Sequence, residues 1–136
     1  MIRILFVCQG NSCRSVMAEA IAKDKLRGIA EVSSAGISPQ KAGDSGMAIE
    51  TLQIYFGLDA SGHVPRSIRS VDLQSFNYVV AMSPGVAKQL PNLSCALLAW
   101  DIKDPWLSDS EAYLKCAKAI NNEVSKLAMI LKHVKA

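Results

Sequence analysis

Between a run that suits the interior of a sheet and a run with helical spacing stands Cys8-Gln9-Gly10-Asn11-Ser12-Cys13-Arg14-Ser15, the stretch that most restricts the fold. Ile2 to Val7 is β-prone and apolar apart from Arg3, the pattern of an interior strand in a parallel sheet. From Val16 to Leu26, the residues Val16, Met17, Ala20, Ile21 and Leu26 recur near one helical face, so a helix starts near Ser15. A strand that turns tightly into a helix leaves backbone N–H groups without partners. They converge on a point that suits an anion.

The residue types inside the turn agree with that reading. Gly10 and Asn11 best tolerate positive φ, which a loop needs if its amides are to face inward. Arg14 supplies a planar fork that matches two oxygens of a tetrahedral oxyanion. Cys8, at the end of the strand and under the same amides, meets the conditions that favour a thiolate nucleophile. The Ser15 hydroxyl is expected to cap the helix or to donate to that thiolate. The plainer alternative is that Cys8 is a small buried apolar residue and Arg14 follows it by chance. Strand before and helix after favour the anion site.

A chain of 136 residues is expected to form one domain, 1–136, with a single sizeable core. Half of the residues are apolar and a fifth are charged, ordinary values for a soluble globular protein. The net charge of +3 fits an anionic substrate, while the scattered Lys and Arg give no footprint for nucleic acid. The N-terminus enters a strand without a signal-peptide pattern, and no apolar run reaches spanning length, so no membrane partner is expected. The expected location is the cytoplasm, with thiols mostly reduced. Four cysteines, at positions 8, 13, 95 and 116, lack the spacing of a zinc site. Neither a metal nor an organic cofactor is implied. His63 and His133 read as surface or packing residues, and Cys95 and Cys116, on apolar faces of a strand and a helix, read as packing residues.

Further along, Ala30 to Ala35 reads as a second strand ended by Gly36, and Ser38 to Gly43 as a loop. Met47, Ala48, Leu52 and Tyr55 predict a helix from Asp44 or Ser45 to about Phe56, with Gly57 as its stop. A polar connection, Asp59 to Ser67, leads to a helical turn around Val71 to Gln74. Asn77 to Met82 and Ser94 to Trp100 read as strands. Ser83-Pro84 opens a helix that Pro91 closes. A long final helix, capped by Ser108 or Asp109, buries Tyr113, Ala117, Ile120, Val124, Leu127 and Leu131. Strand and helix alternate, which argues an α/β fold: a parallel sheet with helices on both faces and ligands beyond the strands' C-terminal ends. After the fourth strand comes Trp100-Asp101-Ile102-Lys103-Asp104-Pro105-Trp106, a loop at the same edge as Cys8. A carboxyl there is placed to protonate a leaving oxygen. Unaided, Asp104-Pro105 is also a common turn former.

Val7 to Ser15, continued by Met17-Ala18-Glu19, resembles the signature of the low-molecular-weight protein tyrosine phosphatase superfamily, which includes the thiol-linked arsenate reductases. The resemblance implies a four-stranded sheet in the order 2-1-3-4, and Gln9, Gly10, Asn11, Ser12, Cys13 and Arg14 as the phosphate-binding loop. It implies Cys8 as nucleophile, assisted by Arg14 and Ser15, and Asp104 as the general acid, with Asp101 as the fallback. Gly62-His63 matches a pair common in the family. The sequence departs from the phosphatase pattern at Val16, where a Pro is usual, and at Ser83, where an acidic residue is usual. It also has no aromatic between Gly36 and Glu50, so one flat wall for phosphotyrosine is either missing or supplied by Tyr55 or Phe56, while Trp106, in the place where a Tyr often follows Asp-Pro, either forms the other wall or packs under the loop.

The implied reaction is phosphomonoester hydrolysis, of phosphotyrosine foremost, through a cysteinyl-phosphate on Cys8. Arsenate reduction is the alternative, because arsenate shares the shape and charge of phosphate. The cysteine pair expected after the third strand for that chemistry is absent from Met82 to Leu90. Cys13, Cys95 or an external thiol, with thioredoxin or glutaredoxin as partner, would then supply electrons. A phosphoprotein or small oxyanion is the substrate in either case. A phosphate-binding module without turnover is the third reading.

Overall fold

The computed structural model describes residues 1–106 and 108–135. Four parallel strands, β1 (Ile2–Cys8), β2 (Ala30–Gly36), β3 (Tyr78–Ala81) and β4 (Ala96–Ala99), form one sheet in the order β2-β1-β3-β4. Helices α1 (Arg14–Lys25), α2 (Gly46–Phe56), α3 (Pro84–Lys88) and α4 (Ser110–Lys135) lie between and after them. The α/β class and the strand order are as the sequence implied.

The two-residue period of β1 divides the core. Ile4, Phe6 and Cys8 point to the side packed by α1, α2 and α4, where Met17, Ile21, Leu52, Ile120 and Leu131 are fully or almost fully buried. Leu5 and Val7 point to the thinner opposite layer, with Val86 of α3 and Phe76. Both layers exclude water from β1, and each large side chain buried in this way contributes roughly 1.5–3 kcal/mol. Arg3, the one break in the run, lies over the Phe76 ring at 4.8 Å and donates to the Ser75 carbonyl at 3.1 Å. Its stem completes the apolar layer while its charge reaches the rim.

Several boundaries differ from the sequence expectations for local reasons. The second helix starts at Gly46, after a 3₁₀ turn over Ala42–Ser45, because Asp44 folds back and accepts from the Lys41 N–H at 3.0 Å. Gly57, with φ 65°, stops it as expected. In place of one helical turn at Val71 to Gln74 there are two 3₁₀ turns, Ile68–Ser70 and Leu73–Ser75. The side chains of Ser67 and Asp72 cap each turn separately, with Val71 extended between them. β4 is a short edge strand, and Trp100 and Ile102 continue past it by donating to the carbonyls of Ala81 and Met82. Asp109 rather than Ser108 caps α4, accepting from Ala112 N–H at 2.9 Å. All six α4 residues expected in the core are buried.

Candidate active site

Cys8 ends β1, and the chain crosses residues 9–13 before α1 begins at Arg14. The carbonyls of Cys8, Gln9 and Gly10 accept from the N–H groups of Ile37, Ser38 and Gln40 at 2.8–3.1 Å, all on the β2 side. The Asn11 carbonyl is 2.7 Å from Nε2 of His63, which therefore donates. None of the described peptides is cis, so carbonyl and following N–H point opposite ways. The N–H groups of Gln9, Gly10, Asn11 and Ser12 are thus turned to the other side of the loop, a nest for an anion. Gly36 permits the close approach of β2: a Cβ there would lie 2.8 Å from the Asn11 nitrogen.

Of the two residues expected to take positive φ, only Asn11 does, at 51°. Gly10 instead gives room to the Gln40 side chain, whose Cγ would lie 2.5 Å from a Cβ there. The Asn11 side chain is fully used. Its Nδ2 donates to Ser15 Oγ at 2.8 Å and to Ser34 Oγ at 2.9 Å, and its Oδ1 accepts from Arg66 N–H at 3.0 Å. The Ser34 hydroxyl in turn donates to Glu19 Oε1. Ser15 Oγ also lies 2.9 Å from Cys8 Sγ, within hydrogen-bond distance, and becomes the donor of that pair when Cys8 is a thiolate. Of the two contacts expected for Ser15, the structure contains the one with Cys8 Sγ. The cap is absent, because Cys13 occupies the N-cap and makes no side-chain capping bond.

Arg14 is buried, and its Nη1 donates to the Ile102 carbonyl at 3.1 Å. Its Nη2 is 3.7 Å from Asp104 Oδ2. The loop after β4 therefore closes against the guanidinium from above. The Asp104 side chain is 46% exposed and faces Arg14. Trp106 N–H donates back to Asp104 Oδ1 at 3.0 Å. A cavity of about 170 Å³ results, with Cys8 and the anion loop as its floor and Gln40, Asp104 and Trp106 as its walls. Asp101 lies outside it. Tyr55 and Phe56 do not reach it either: Tyr55 is exposed on α2 and Phe56 packs against the core, so Gln40 stands where an aromatic wall was expected.

Cys13, which also lines the cavity, touches Cys116 and Tyr113 of α4. The hydrogen bond that Cys13 donates to Cys116, followed by burial and the neighbouring acidic groups, pushes the Cys13 thiol far above its ordinary range. Burial, followed by Cys13 and Asp104 nearby, pushes the Tyr113 hydroxyl up to about 12. Cys95 is far along the chain in the opposite layer of the core, apart from these groups. The roles of Ser34, His63 and Gln40 were not read from the sequence. Glu19 belongs to the motif and lies one helical turn after Ser15, the one available signal for it.

The family model described as low molecular weight phosphotyrosine protein phosphatase matches residues 3–136. The chain belongs to this family. Among curated relatives, the low molecular weight protein-tyrosine-phosphatase YfkJ of Bacillus subtilis is 39% identical over 88 residues, covering 60% of this chain and 56% of its own length. Arsenate reductase of Staphylococcus aureus is 36% identical over 104 residues, covering 75% of this chain and 77% of its own. A protein-arginine-phosphatase of Geobacillus stearothermophilus is 26% identical, with 93% of both chains aligned. The low molecular weight protein tyrosine phosphatase structure from T. tengcongensis superposes with a TM-score of 0.84 at 31% identity, covering 93% of this chain and 97% of that one. Family members thus carry names from both hydrolysis and reduction, and the shared part is an enzyme site for phosphorylated or oxyanion substrates. No helix of the described residues is long and apolar enough to cross a membrane.

Proposed function

We propose that this chain is a phosphomonoester hydrolase, with phosphotyrosine as its foremost substrate, working through a cysteinyl-phosphate on Cys8. The observation that carries the reading is the Ser15 hydroxyl, 2.9 Å from Cys8 Sγ and held by Asn11. Against a Cys8 thiolate this hydroxyl is the donor, and it stabilises the thiolate before substrate arrives and as leaving group afterwards. Cys8 Sγ attacks phosphorus in line, the S–P bond forms, and the ester oxygen leaves with a proton from Asp104. Asp104 then takes a proton from water, whose oxygen attacks phosphorus and breaks the S–P bond. The loop amides and Arg14 hold the three equatorial oxygens throughout.

Arsenate reduction is kept as a second reading because of the relative named for it and because Cys13 shares the Cys8 cavity. It needs a thiol to accept the bond to Cys8, with thioredoxin or glutaredoxin as the external dithiol.

The test is hydrolysis of aryl phosphates, phosphotyrosine and phosphoarginine peptides beside thiol-dependent arsenite formation. Cys8→Ser should lose roughly 10³-fold or more in kcat/KM. Asp104→Asn should lose roughly 10²- to 10⁴-fold, less for leaving groups of low pKa. Wild-type turnover by Cys8→Ser would refute the nucleophile. Arsenite formation without ester hydrolysis would select the reductase.

A further inference from the structure

Two glutamines from distant segments meet beside the anion loop. Gln9, the residue after Cys8, lines the 170 Å³ cavity. Gln89 ends α3, and its Nε2 is 3.0 Å from Gln9 Oε1 and 3.2 Å from the Gly85 carbonyl. The second contact fixes the direction of the first. A carbonyl only accepts, so the Gln89 atom that faces Gly85 is its NH2 group, and the other hydrogen of that group goes to Gln9. Gln9 therefore gives its Oε1 to Gln89 and keeps its own NH2, which has no acceptor among the described residues. Gln89 stands at a fixed place because α3 is anchored. Val86 is buried, Ser83 Oγ accepts from its N–H at 3.2 Å, and the Gln89 N–H donates to its carbonyl at 3.0 Å.

The cavity has room for a phosphoryl group and the atoms next to it, so the rest of a larger substrate crosses its rim. Gln40 also lines it, but no described residue fixes which end of that amide is presented. The Gln9 side chain, by contrast, has one hydrogen-bonding character left: it is a donor. A polypeptide offers a carbonyl oxygen at every residue, whereas a small aryl ester has no such oxygen beyond its phosphate.

We propose that Gln9, oriented by Gln89, binds a main-chain carbonyl beside the phosphorylated residue and so selects a phosphorylated polypeptide over a free small ester. This deepens the hydrolase reading and rests on it for the anion site. Gln89 is a positioning residue: without it the Gln9 amide turns freely and presents its oxygen, which repels a carbonyl, as readily as its NH2. The contact lies at the surface and is made alike in ground state and transition state, so it is a modest factor that enters KM and not kcat.

The experiment titrates the full chain calorimetrically with two non-hydrolysable probes, benzylphosphonate and a pentapeptide with phosphonomethylphenylalanine at its centre. Gln89→Met, close in size and without the donor, should raise the peptide Kd about three- to tenfold and the benzylphosphonate Kd less than about twofold. Gln9→Met should raise the ratio of the two Kds by at least as much. Adding Gln89→Met to Gln9→Met should raise that ratio no further, because Gln89 acts through Gln9. With a phosphotyrosine peptide as substrate, Gln89→Met should raise KM and leave kcat. A wild-type ratio in Gln89→Met, equal losses for both probes, or a further loss in the double variant would overturn the proposal. If the probes bind as expected and no ester is hydrolysed, the hydrolase reading fails and the role of Gln9 stands. If neither probe binds the wild type, both fall.

Discussion

Asn11 holds the site together at the scale of single residues, by backbone and side chain separately. Its φ of 51° is a conformation that Gly adopts freely and Ala resists, while its amide orients Ser15 and Ser34. Asn11→Gly keeps the turn and loses the hydrogen bonds; Asn11→Ala loses both. Both variants should lower kcat roughly 10- to 100-fold with a smaller change in KM. Asn11→Ala should in addition unfold about 1 kcal/mol earlier than Asn11→Gly, as read from urea midpoints. Equal stability of the two would deny the backbone role. Tyr113 gives a second test at this scale. Its folded pKa of about 12 lies above the ordinary value of 10.0. Above pH 10 the unfolded chain loses this proton first, which favours unfolding. The stability that Tyr113 contributes is therefore complete below pH 10 and lost as pH rises toward 12. Tyr113→Phe should show a shallower fall of the urea midpoint between pH 10 and 12 than the wild type.

At the scale of elements, the site depends on how closely β2 approaches the anion loop. Gly36 pairs with Cys8 in the sheet, and a Cβ there would press on backbone, the nitrogen of Asn11 at 2.8 Å and the carbonyl carbon of Gly10 at 3.0 Å. At Gly10 the clash is with the Gln40 side chain, which can swing away. Gly36→Ala should therefore cost about 1–3 kcal/mol of stability and weaken phosphate binding about tenfold, because the loop has to move. Gly10→Ala should cost less in both. Isothermal titration with phosphate and urea unfolding compare them, and a milder effect at Gly36 would contradict the packing. The loop after β4 is the second such element. Ile102, buried under it, donates its N–H to Met82 and accepts from Arg14, so the acid loop and the arginine share one anchor.

At the scale of the whole molecule, binding and folding are linked through Arg14, which belongs to α1, faces the loop after β4 and borders the cavity. Inorganic phosphate at a hundred times its Kd should stabilise the fold by about 2.7 kcal/mol, or about 10 °C in Tm. Arg14→Lys, which keeps charge but not the fork, should lose most of that shift in a thermal melt. An undiminished shift would place the anion elsewhere.

The sequence by itself determined the class of fold and the tight strand-to-helix turn after Cys8. Both follow from local periods: alternation along β1, helical spacing in α1 and α4, and turn residues between a strand and a helix. The division of labour inside the loop depended on contacts from distant segments. Gly10 and Asn11 look alike as turn formers, and only the approach of Gln40 made one a matter of space and the other a matter of φ. Ser15 looks like a cap until the fold sets its hydroxyl between the Asn11 amide and Cys8 Sγ. Edge strand β4 and the two 3₁₀ turns were blurred for a related reason, since side-chain capping and carbonyls of neighbouring strands set their ends. Least legible of all was the meeting of Cys13 with Cys116. More than a hundred residues separate them in sequence, and no local pattern records it. Only the packing of α4 against the start of α1 puts those two sulfurs in contact, since long-range proximity is a property of the packed core and not of any window of chain.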